Sequence, residues 1–185
     1  MVLGITGTIG AGKGAVVAYL TATNGFTHFS ARSFLERRLQ ERALSPTRDN
    51  MKRVADELRA NHSPAYLIEQ LFAEAAALGS NAVIESVRTL GEASFLQQRG
   101  VPLLAIDADR RVRYRRIVGR GLSTDHVSFA EFCRQEDAEL SNTDPNQQNL
   151  TGVMARADCH IENDGSRDDL RTQVDACLAP YLHRE

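Results

Sequence analysis

A glycine-rich segment near the N-terminus has the composition and spacing of a loop that wraps a phosphate group. It reads GTIGAGKG from Gly7 to Gly14, and Lys13 directly follows the glycine at its sixth position. Glycines let the backbone fold closely round an anion with its N–H groups turned inward, and a lysine at this position can reach the terminal phosphates of a nucleotide. The residues expected to contact nucleotide phosphates are Gly7, Thr8, Ile9, Gly10, Ala11, Gly12, Lys13, Gly14 and Ala15.

Such a loop needs a strand before it and a helix after it, and the sequence supplies both. Val2–Thr6 is a short apolar run typical of a buried strand, and Ala15–Thr23 has helical periodicity. Further along, strands alternate with helices, which predicts a parallel sheet with helices on both faces. Ligands bind at the carboxyl edge of such sheets, where the candidate residues lie. The other predicted strands are Phe26–Phe29, Ala82–Glu85, Val101–Ile106 and Cys159–Ile161.

Length and composition restrict the class of protein. A chain of 185 residues is long enough for one domain, and a content of 42% hydrophobic and 25% charged residues is ordinary for a globular protein. No apolar run is long enough to span a bilayer, and because the N-terminus lacks a basic segment before a long apolar stretch we expect no secretory signal. The net charge of −2 argues against a protein that coats nucleic acid. The three cysteines include no C-x-x-C pair, which fits a reducing cytosol, so we interpret all three as structural and expect a cytoplasmic protein.

Arginine dominates the basic residues, since only two of the 22 are lysines. The planar guanidinium suits phosphate recognition, and the arginines are densest in the predicted helix Arg110–Val118 and just beyond it. At 3.6 residues per turn, Arg113, Arg116 and Arg120 share one face of this helix. We expect that face to stabilise a phosphoryl group during transfer. The alternative is a solvated basic face or a nucleic-acid patch.

Two segments resemble adenylate kinases. The run GAGKG from Gly10 to Gly14 is similar to their phosphate loop, and the segment from Asn81 to Ala93 is similar to one in which a strand ends in an acid before an arginine and a threonine. The resemblance implies that Glu85 orients a water on Mg²⁺ and that Arg88 faces the phosphate acceptor. Glu85 replaces the usual aspartate, the spacing to Arg88 is one residue shorter, and Ala15 stands where those enzymes have threonine. Magnesium binding by the protein itself would then be weak.

The long segment between the second and third predicted strands has helical spacing throughout. In nucleoside monophosphate kinases such a helical insertion binds the acceptor. Arg32 and Arg48 lie in it, and together with Arg88 they could converge on one phosphate group. Each arginine alone could equally be a solvated surface residue, so the prediction depends on the set.

The C-terminal segment resembles that of dephospho-CoA kinases. From Ala157 to Val174 it follows the pattern A-D-x-x-I-x-N-D-G-S-x-x-D-L-x-x-Q-V. The N-D-G triplet alone only predicts a turn. In this fold the loop packs near the nucleotide base, so the resemblance implies a contact between Gly165 and adenine.

Taken together, the chain resembles the nucleoside monophosphate kinase superfamily, of which dephospho-CoA kinase is one branch. The resemblance implies a three-layer α/β P-loop fold with a five-stranded parallel sheet in the order 2-3-1-4-5, ATP as donor and Mg²⁺ as cofactor. It also implies a core in residues 1–30, 79–118 and 147–185, an acceptor-binding insertion in 31–78 and a lid in 119–146.

The two branches need different chemistry at the acceptor. A ribose hydroxyl benefits from a general base after the second strand, but that stretch reads HFSARS and contains no acid. An acceptor monophosphate needs arginines instead, and the chain supplies them. We therefore favour a nucleoside or deoxynucleoside monophosphate as acceptor, with dephospho-CoA as the alternative. A nucleotide-binding switch or regulatory ATPase is a third class, although no N-K-x-D motif indicates a GTPase. We expect a monomer whose partner is a small molecule and not a membrane or nucleic acid.

Overall fold

Five parallel strands form one sheet in the computed structural model, which describes residues 1–120 and 127–182. The strands are β1 (Val2–Gly7), β2 (Thr27–Ser30), β3 (Ala82–Glu85), β4 (Leu103–Asp107) and β5 (Cys159–Glu162). Their order is β2-β3-β1-β4-β5, which confirms the predicted topology. Because β1 lies between β3 and β4, the loop that follows it leaves the middle of the carboxyl edge. Glu85 on β3 is paired with Ile5 on β1 in the register.

The helices cover both faces of the sheet and form a separate hydrophobic core on each. The described helices are α1 (Lys13–Thr23), α2 (Ala31–Glu41), α3 (Arg48–Asn61), α4 (Tyr66–Leu78), α5 (Leu90–Gln97), α6 (Arg110–Arg120), α7 (Phe129–Leu140), α8 (Leu150–Met154) and α9 (Arg167–Leu182). One core joins α1 and α9 through residues such as Leu20 and Val174. The other is formed by residues of α2, α3, α4, α5 and α8, packed on the sheet, and includes Leu67 and Ile84. Buried on both sides, the central strands are apolar along most of their length.

The predicted elements lie close to the observed ones. Each strand boundary differs from its prediction by no more than two residues, and Thr89 with Glu92 forms the capping box that the sequence T-L-G-E indicates at the start of α5. The short helix α8 was not predicted. None of the helices in the two described ranges is long and apolar enough to cross a membrane.

A disulfide bond joins β5 to α9. It connects Cys159 with Cys177, whose Cα atoms are 5.8 Å apart, while Cys133 has a free thiol. The interpretation of the cysteines from the sequence did not anticipate this bond, because the two cysteines are 18 positions apart and form no recognisable motif. The packing of the last helix on the edge strand brings the two residues together.

Candidate functional site

The phosphate loop (Gly7–Gly14) leaves β1 and enters α1 in a conformation that requires glycine. Gly7 and Gly12 have φ angles of +139° and +103°, which strain residues with a side chain. Space is also lacking, since a Cβ on Gly7 would lie 2.0 Å from the Ile106 carbonyl oxygen and one on Gly12 would lie 2.2 Å from Asn163 Nδ2. Backbone conformation and close packing therefore fix the shape of the loop.

Lys13 folds back onto the loop that precedes it. Its side chain is buried, and Nζ donates hydrogen bonds of 2.8 Å to the carbonyl oxygens of Gly7 and Thr8. Burial lowers the pKa of Lys13 to about 7, and the nearby charge of Arg88 acts in the same direction. An anion beside Nζ would favour the charged form and raise this pKa. Before an anion binds, the pKa of Lys13 is thus close to neutral pH.

Two polar residues at the ends of β4 and β5 brace the phosphate loop. Asp107 Oδ1 accepts a hydrogen bond of 2.5 Å from the Thr8 hydroxyl, and the buried Asn163 donates one of 2.8 Å from Nδ2 to the Ala11 carbonyl oxygen. Sequence reasoning did not single out Asp107 and treated Asn163 only as part of a turn. Their positions at strand ends were the available signal, because the carboxyl ends of parallel strands meet at one edge.

Glu85 ends β3 with a partly buried carboxylate. His28 Nε2 on β2 donates a hydrogen bond of 2.9 Å to Glu85 Oε2. Burial alone would raise the pKa of Glu85, but this hydrogen bond and the charge of Lys13 outweigh it and hold the pKa below its ordinary value. Glu85 is therefore an anion beside the phosphate loop, as the carboxylate predicted to orient a magnesium-bound water must be.

The residues around the loop offer few direct ligands for magnesium. Gly14 and Ala15 begin the exposed first turn of α1 and carry no hydroxyl. Within the described part of the chain, no group of three or more His, Cys, Asp or Glu side chains could hold a metal ion. The donor set fits an ion held by nucleotide phosphates and water, with one carboxylate in its outer shell.

A cavity of about 540 Å³ opens beside the phosphate loop. Helices α2, α3 and α4 of the insertion supply the apolar lining residues, and α3, α7 and the segment after β3 supply a polar wall. Ile9 of the phosphate loop also lines the cavity, so the two sites are contiguous. Its lining residues include Leu35, Met51, Arg48, Arg88, Gln135 and Glu139.

A bridged pair of arginines forms the polar wall of this cavity. Arg48 Nη2 donates to Glu139 Oε1 at 2.5 Å, and Arg88 Nη1 donates to Glu139 Oε2 at 3.2 Å. Each arginine also donates to a glutamine, Arg48 to Gln135 at 2.8 Å and Arg88 to Gln148 at 2.6 Å. We call Arg48, Arg88 and Glu139 the bridged cluster. It brings two of the three predicted acceptor arginines together.

Glu139 was not predicted from the sequence, although it lies on the same helix as Gln135, another residue of the cavity. The two residues are four positions apart and therefore share a face of α7, which was the signal available. Burial would raise the pKa of Glu139, but the charges of Arg88 and Arg48 outweigh it and hold the pKa below its ordinary value. The carboxylate is accordingly charged in the ligand-free protein.

A second, fully buried ion pair holds the backbone that carries Arg88. Arg59 donates from Nε and Nη2 to Glu92 Oε1 at 3.0 and 2.8 Å. The other oxygen of Glu92 accepts from the backbone N–H groups of Arg88 and Thr89 at 2.7 and 3.1 Å. Helix α3 thereby fixes the turn from which the Arg88 side chain enters the cavity.

Arg32 does not join the bridged cluster. It lines the same cavity, but its side chain is 56% exposed and Nε donates to Glu36 one helical turn along, at 2.8 Å. The expectation that three arginines converge is therefore met by two in this structure. The position of Arg32 on the first turn of α2 explains the difference, since a partner at i+4 is within easy reach.

Arg113 lies behind the phosphate loop and not at its open side. Its guanidinium is buried, donates from Nε to the Ala108 carbonyl oxygen at 2.7 Å and from Nη1 to the Ile9 carbonyl oxygen at 3.3 Å, and pairs with the buried Glu136. With these partners it supports the loop from α6. This placement disagrees with the catalytic role expected from the face that it shares with Arg116 and Arg120.

The other predicted residues of α6 and the C-terminal loop have mixed positions. Arg116 donates from Nη2 to the Asn163 carbonyl oxygen at 2.7 Å, and Arg120 lines the cavity. Residues 121–126 of the predicted lid lie outside the described residues. Gly165 packs against Asp169, and its contact with adenine stays a prediction.

Comparisons with known proteins agree with this fold. A family model described as AAA domain (AAA_18) matches residues 3–142. A UPF0200 protein of Pyrobaculum aerophilum is 28% identical over 180 residues, with 96% of each chain covered. Another, from Thermococcus kodakarensis, is 26% identical over 181 residues, with 94% of each chain covered.

Solved structures that share the fold at low sequence identity include two kinases. Shikimate kinase from Acinetobacter baumannii, in complex with shikimate, superposes with a TM-score of 0.60 at 15% identity over 98% of this chain and 94% of that one. A gluconokinase from Sinorhizobium meliloti gives 0.55 at 13% identity, over 99% and 97%. The protein TT1252 from Thermus thermophilus gives 0.58 at 22% identity, over 98% and 97%.

Proposed function

Because the chain belongs to the AAA_18 family of AAA domains and has the fold of P-loop kinases, we propose that it transfers the γ-phosphate of ATP to a small anionic acceptor. The acceptor that the site suits best is a nucleoside or deoxynucleoside monophosphate. One observation carries this choice: the cavity beside the phosphate loop presents two guanidiniums, Arg48 and Arg88, from separate elements. Paired guanidiniums are the preferred protein partners of a phosphate group.

Each side of the site then has its own task. The amides of the phosphate loop and Lys13 hold the ATP phosphates, and the insertion cavity holds the acceptor with its phosphate toward Arg48 and Arg88. Phosphoryl transfer asks little covalent chemistry of a protein, so positioning and electrostatic stabilisation supply the rate. Arg120 lines the cavity near the start of the predicted lid, and we propose that it stabilises charge on the transferring group.

Glu85 is the residue that would take part in holding magnesium, through a bound water. Its low pKa keeps it ionised, and its hydrogen bond with His28 fixes its orientation. Magnesium bound with ATP neutralises charge on the phosphates. The absence of a hydroxyl at Gly14 and Ala15 supports a site in which most ligands come from nucleotide and water.

A hydroxyl acceptor, as in dephospho-CoA kinase, is the second candidate. It would need a general base, but β2 ends in Ser30, whose hydroxyl accepts a hydrogen bond from the Ser33 amide to cap α2. Of the carboxylates that line the cavity, which are Asp49, Glu131 and Glu139, the buried Glu139 is ion-paired to two arginines, and its lowered pKa makes it a weak base. Both observations favour an acceptor that is already ionised.

The test is coupled ADP release with ATP and Mg²⁺ against a panel of acceptors. The panel contains each ribonucleoside and deoxyribonucleoside monophosphate, dephospho-CoA, shikimate, gluconate and a sample without acceptor. A rate that depends on one nucleotide supports the proposal and names the substrate. A rate only with a hydroxyl acceptor would overturn the choice of acceptor, and equal ADP release in every sample would make the protein a hydrolase or switch.

A further inference from the structure

The Glu139 carboxylate lies where an anionic acceptor would have to bind. Each of its oxygens accepts a hydrogen bond from a different guanidinium, Arg48 at 2.5 Å and Arg88 at 3.2 Å. All three side chains line the cavity, and that of Glu139 is only 11% exposed. Two guanidiniums joined by one anion through two oxygens have the arrangement expected for arginines that share a bound phosphate.

The charges of the bridged cluster suit an exchange of anions. Partial desolvation of two guanidiniums at the edge of a cavity is unfavourable unless an anion is near, and Glu139 supplies one negative charge. A phosphate monoester brings up to two, and it would also be repelled by a carboxylate that stayed between the same guanidiniums. The acceptor and Glu139 are therefore competitors for one place.

The glutamines beside the arginines would hold them while the anion changes. Arg48 donates from Nη1 to Gln135 at 2.8 Å, and Arg88 donates from Nη1 to Gln148 at 2.6 Å. Neither contact involves Glu139. Within the described residues, the Nε and Nη2 groups of Arg88 have no hydrogen-bond partner and remain available to an incoming oxygen.

We propose that Glu139 stands in for the acceptor's phosphate in the ligand-free protein, and that a phosphate monoester displaces it from Arg48 and Arg88. This proposal rests on the proposed function, because it takes the cavity as the acceptor site. It also makes Glu139 a residue that determines specificity. A phosphate dianion brings two negative charges in place of the single charge of Glu139, whereas a carboxylate acceptor brings only one.

The experiment measures binding and needs no turnover. Inorganic phosphate is titrated calorimetrically into the full chain with saturating ADP, which occupies the phosphate loop, and acetate is titrated in parallel. Glu139→Gln removes the competing charge and should bind phosphate about tenfold more tightly than the unmodified chain. Asp137→Asn is the matched control, since this residue is on the same helix, is 59% exposed and pairs with Arg110. It should bind phosphate as the unmodified chain does.

Other outcomes would overturn the proposal. Weaker phosphate binding by Glu139→Gln would mean that Glu139 orients the arginines and does not compete. Unchanged affinity would mean that phosphate binds elsewhere, and acetate binding as tightly as phosphate would contradict the preference for a phosphate acceptor. If Glu139→Gln does not fold, Glu139→Met, which also removes the charge at similar side-chain length, must show the same gain.

A double variant locates the effect. Adding Arg88→Met to Glu139→Gln should abolish the gain in phosphate affinity, and a gain that persists would place the phosphate outside the bridged cluster. Failure of the proposed function is separable, because phosphate affinity can rise as expected in a protein whose ADP release never depends on an acceptor. Acceptor-dependent ADP release with no change in phosphate affinity would refute only the role of Glu139.

Discussion

The phosphate loop and the bridged cluster lie at the same edge of the sheet but are built by different means. The loop is one continuous stretch whose shape depends on backbone conformation, with left-handed φ angles at Gly7 and Gly12. The bridged cluster joins side chains from α3, α7 and the turn after β3, with up to 91 residues between partners. The first is local in sequence, whereas the second exists only after the chain has folded.

This difference bears on what each region can recognise. A cradle of amides and one lysine suits the phosphates of any nucleoside triphosphate. The cavity instead combines charged side chains of both signs with apolar lining residues, a combination that can discriminate among acceptors. Selectivity for the acceptor should therefore depend on residues of the cavity, and loss of all activity should follow from changes in the loop.

The largest effect is expected at Lys13. Lys13→Met removes the cation that reaches the terminal phosphates, and we expect phosphotransfer to fall about 10³-fold. The variant should remain folded, because it loses a buried ammonium whose pKa burial has already lowered to about 7. ADP release and circular dichroism check the two halves of this prediction. Arg171→Met, on the far helix α9 and paired with Asp168, is the control, and a similar fall in that variant would contradict a specific role for Lys13.

A pair of glycine variants tests whether the backbone determines the shape of the loop. Gly12→Ala places a methyl group at a left-handed φ of +103° and 2.2 Å from Asn163 Nδ2, and should lower the free energy of unfolding by about 2 kcal/mol. Gly14→Ala lies on an exposed helical turn with nothing within 4 Å, and should raise it by about 0.5 kcal/mol. Urea denaturation measures both. Equal effects would show that the loop does not depend on this conformation.

The contrast between the two regions also explains what the sequence could predict. Glycine spacing, apolar strands and the Thr89–Glu92 capping box are local signals, and the loop, the strands and α5 agree with the predictions made from them. The strand order also agrees, but it was implied by the family resemblance. Asp107 was not singled out from the sequence, because an aspartate at a strand end is common. The disulfide bond between Cys159 and Cys177 was missed because sheet packing, and not spacing, joins the two residues.

The arginines show the limit of this kind of inference most clearly. Residue type and helical phase place Arg113 with Arg116 and Arg120, but only the fold brings Glu136 beside Arg113 and turns it into a support for the loop. Glu139 likewise shares a helical face with Gln135, yet its two arginine partners come from distant segments. A guanidinium's role depends on which carboxylate reaches it, and one sequence does not reveal that.

A matched pair of arginine variants sharpens the comparison on the acceptor side. Arg88→Met should raise the KM for the acceptor about tenfold, because it removes a charge-assisted contact with the acceptor phosphate. Arg32→Met should change it less than about twofold, since an exposed ion pair with Glu36 contributes little. Steady-state kinetics with the acceptor identified from the panel measures both. A larger effect at Arg32 would restore the expectation of three converging arginines and imply that α2 moves on binding.

The smallest expected effect is the uptake of a proton when ADP binds. In the ligand-free protein burial lowers the pKa of Lys13 to about 7, and bound phosphates should raise it again. At pH 8 the lysine is then mostly neutral when free and charged when bound, so ADP binding should take up nearly one proton, whereas at pH 6 it is charged in both states and uptake should be small. Calorimetry in two buffers of different ionisation enthalpy measures this. Lys13→Met should remove the uptake at pH 8, and an uptake that survives in this variant would show that a group other than Lys13 takes up the proton.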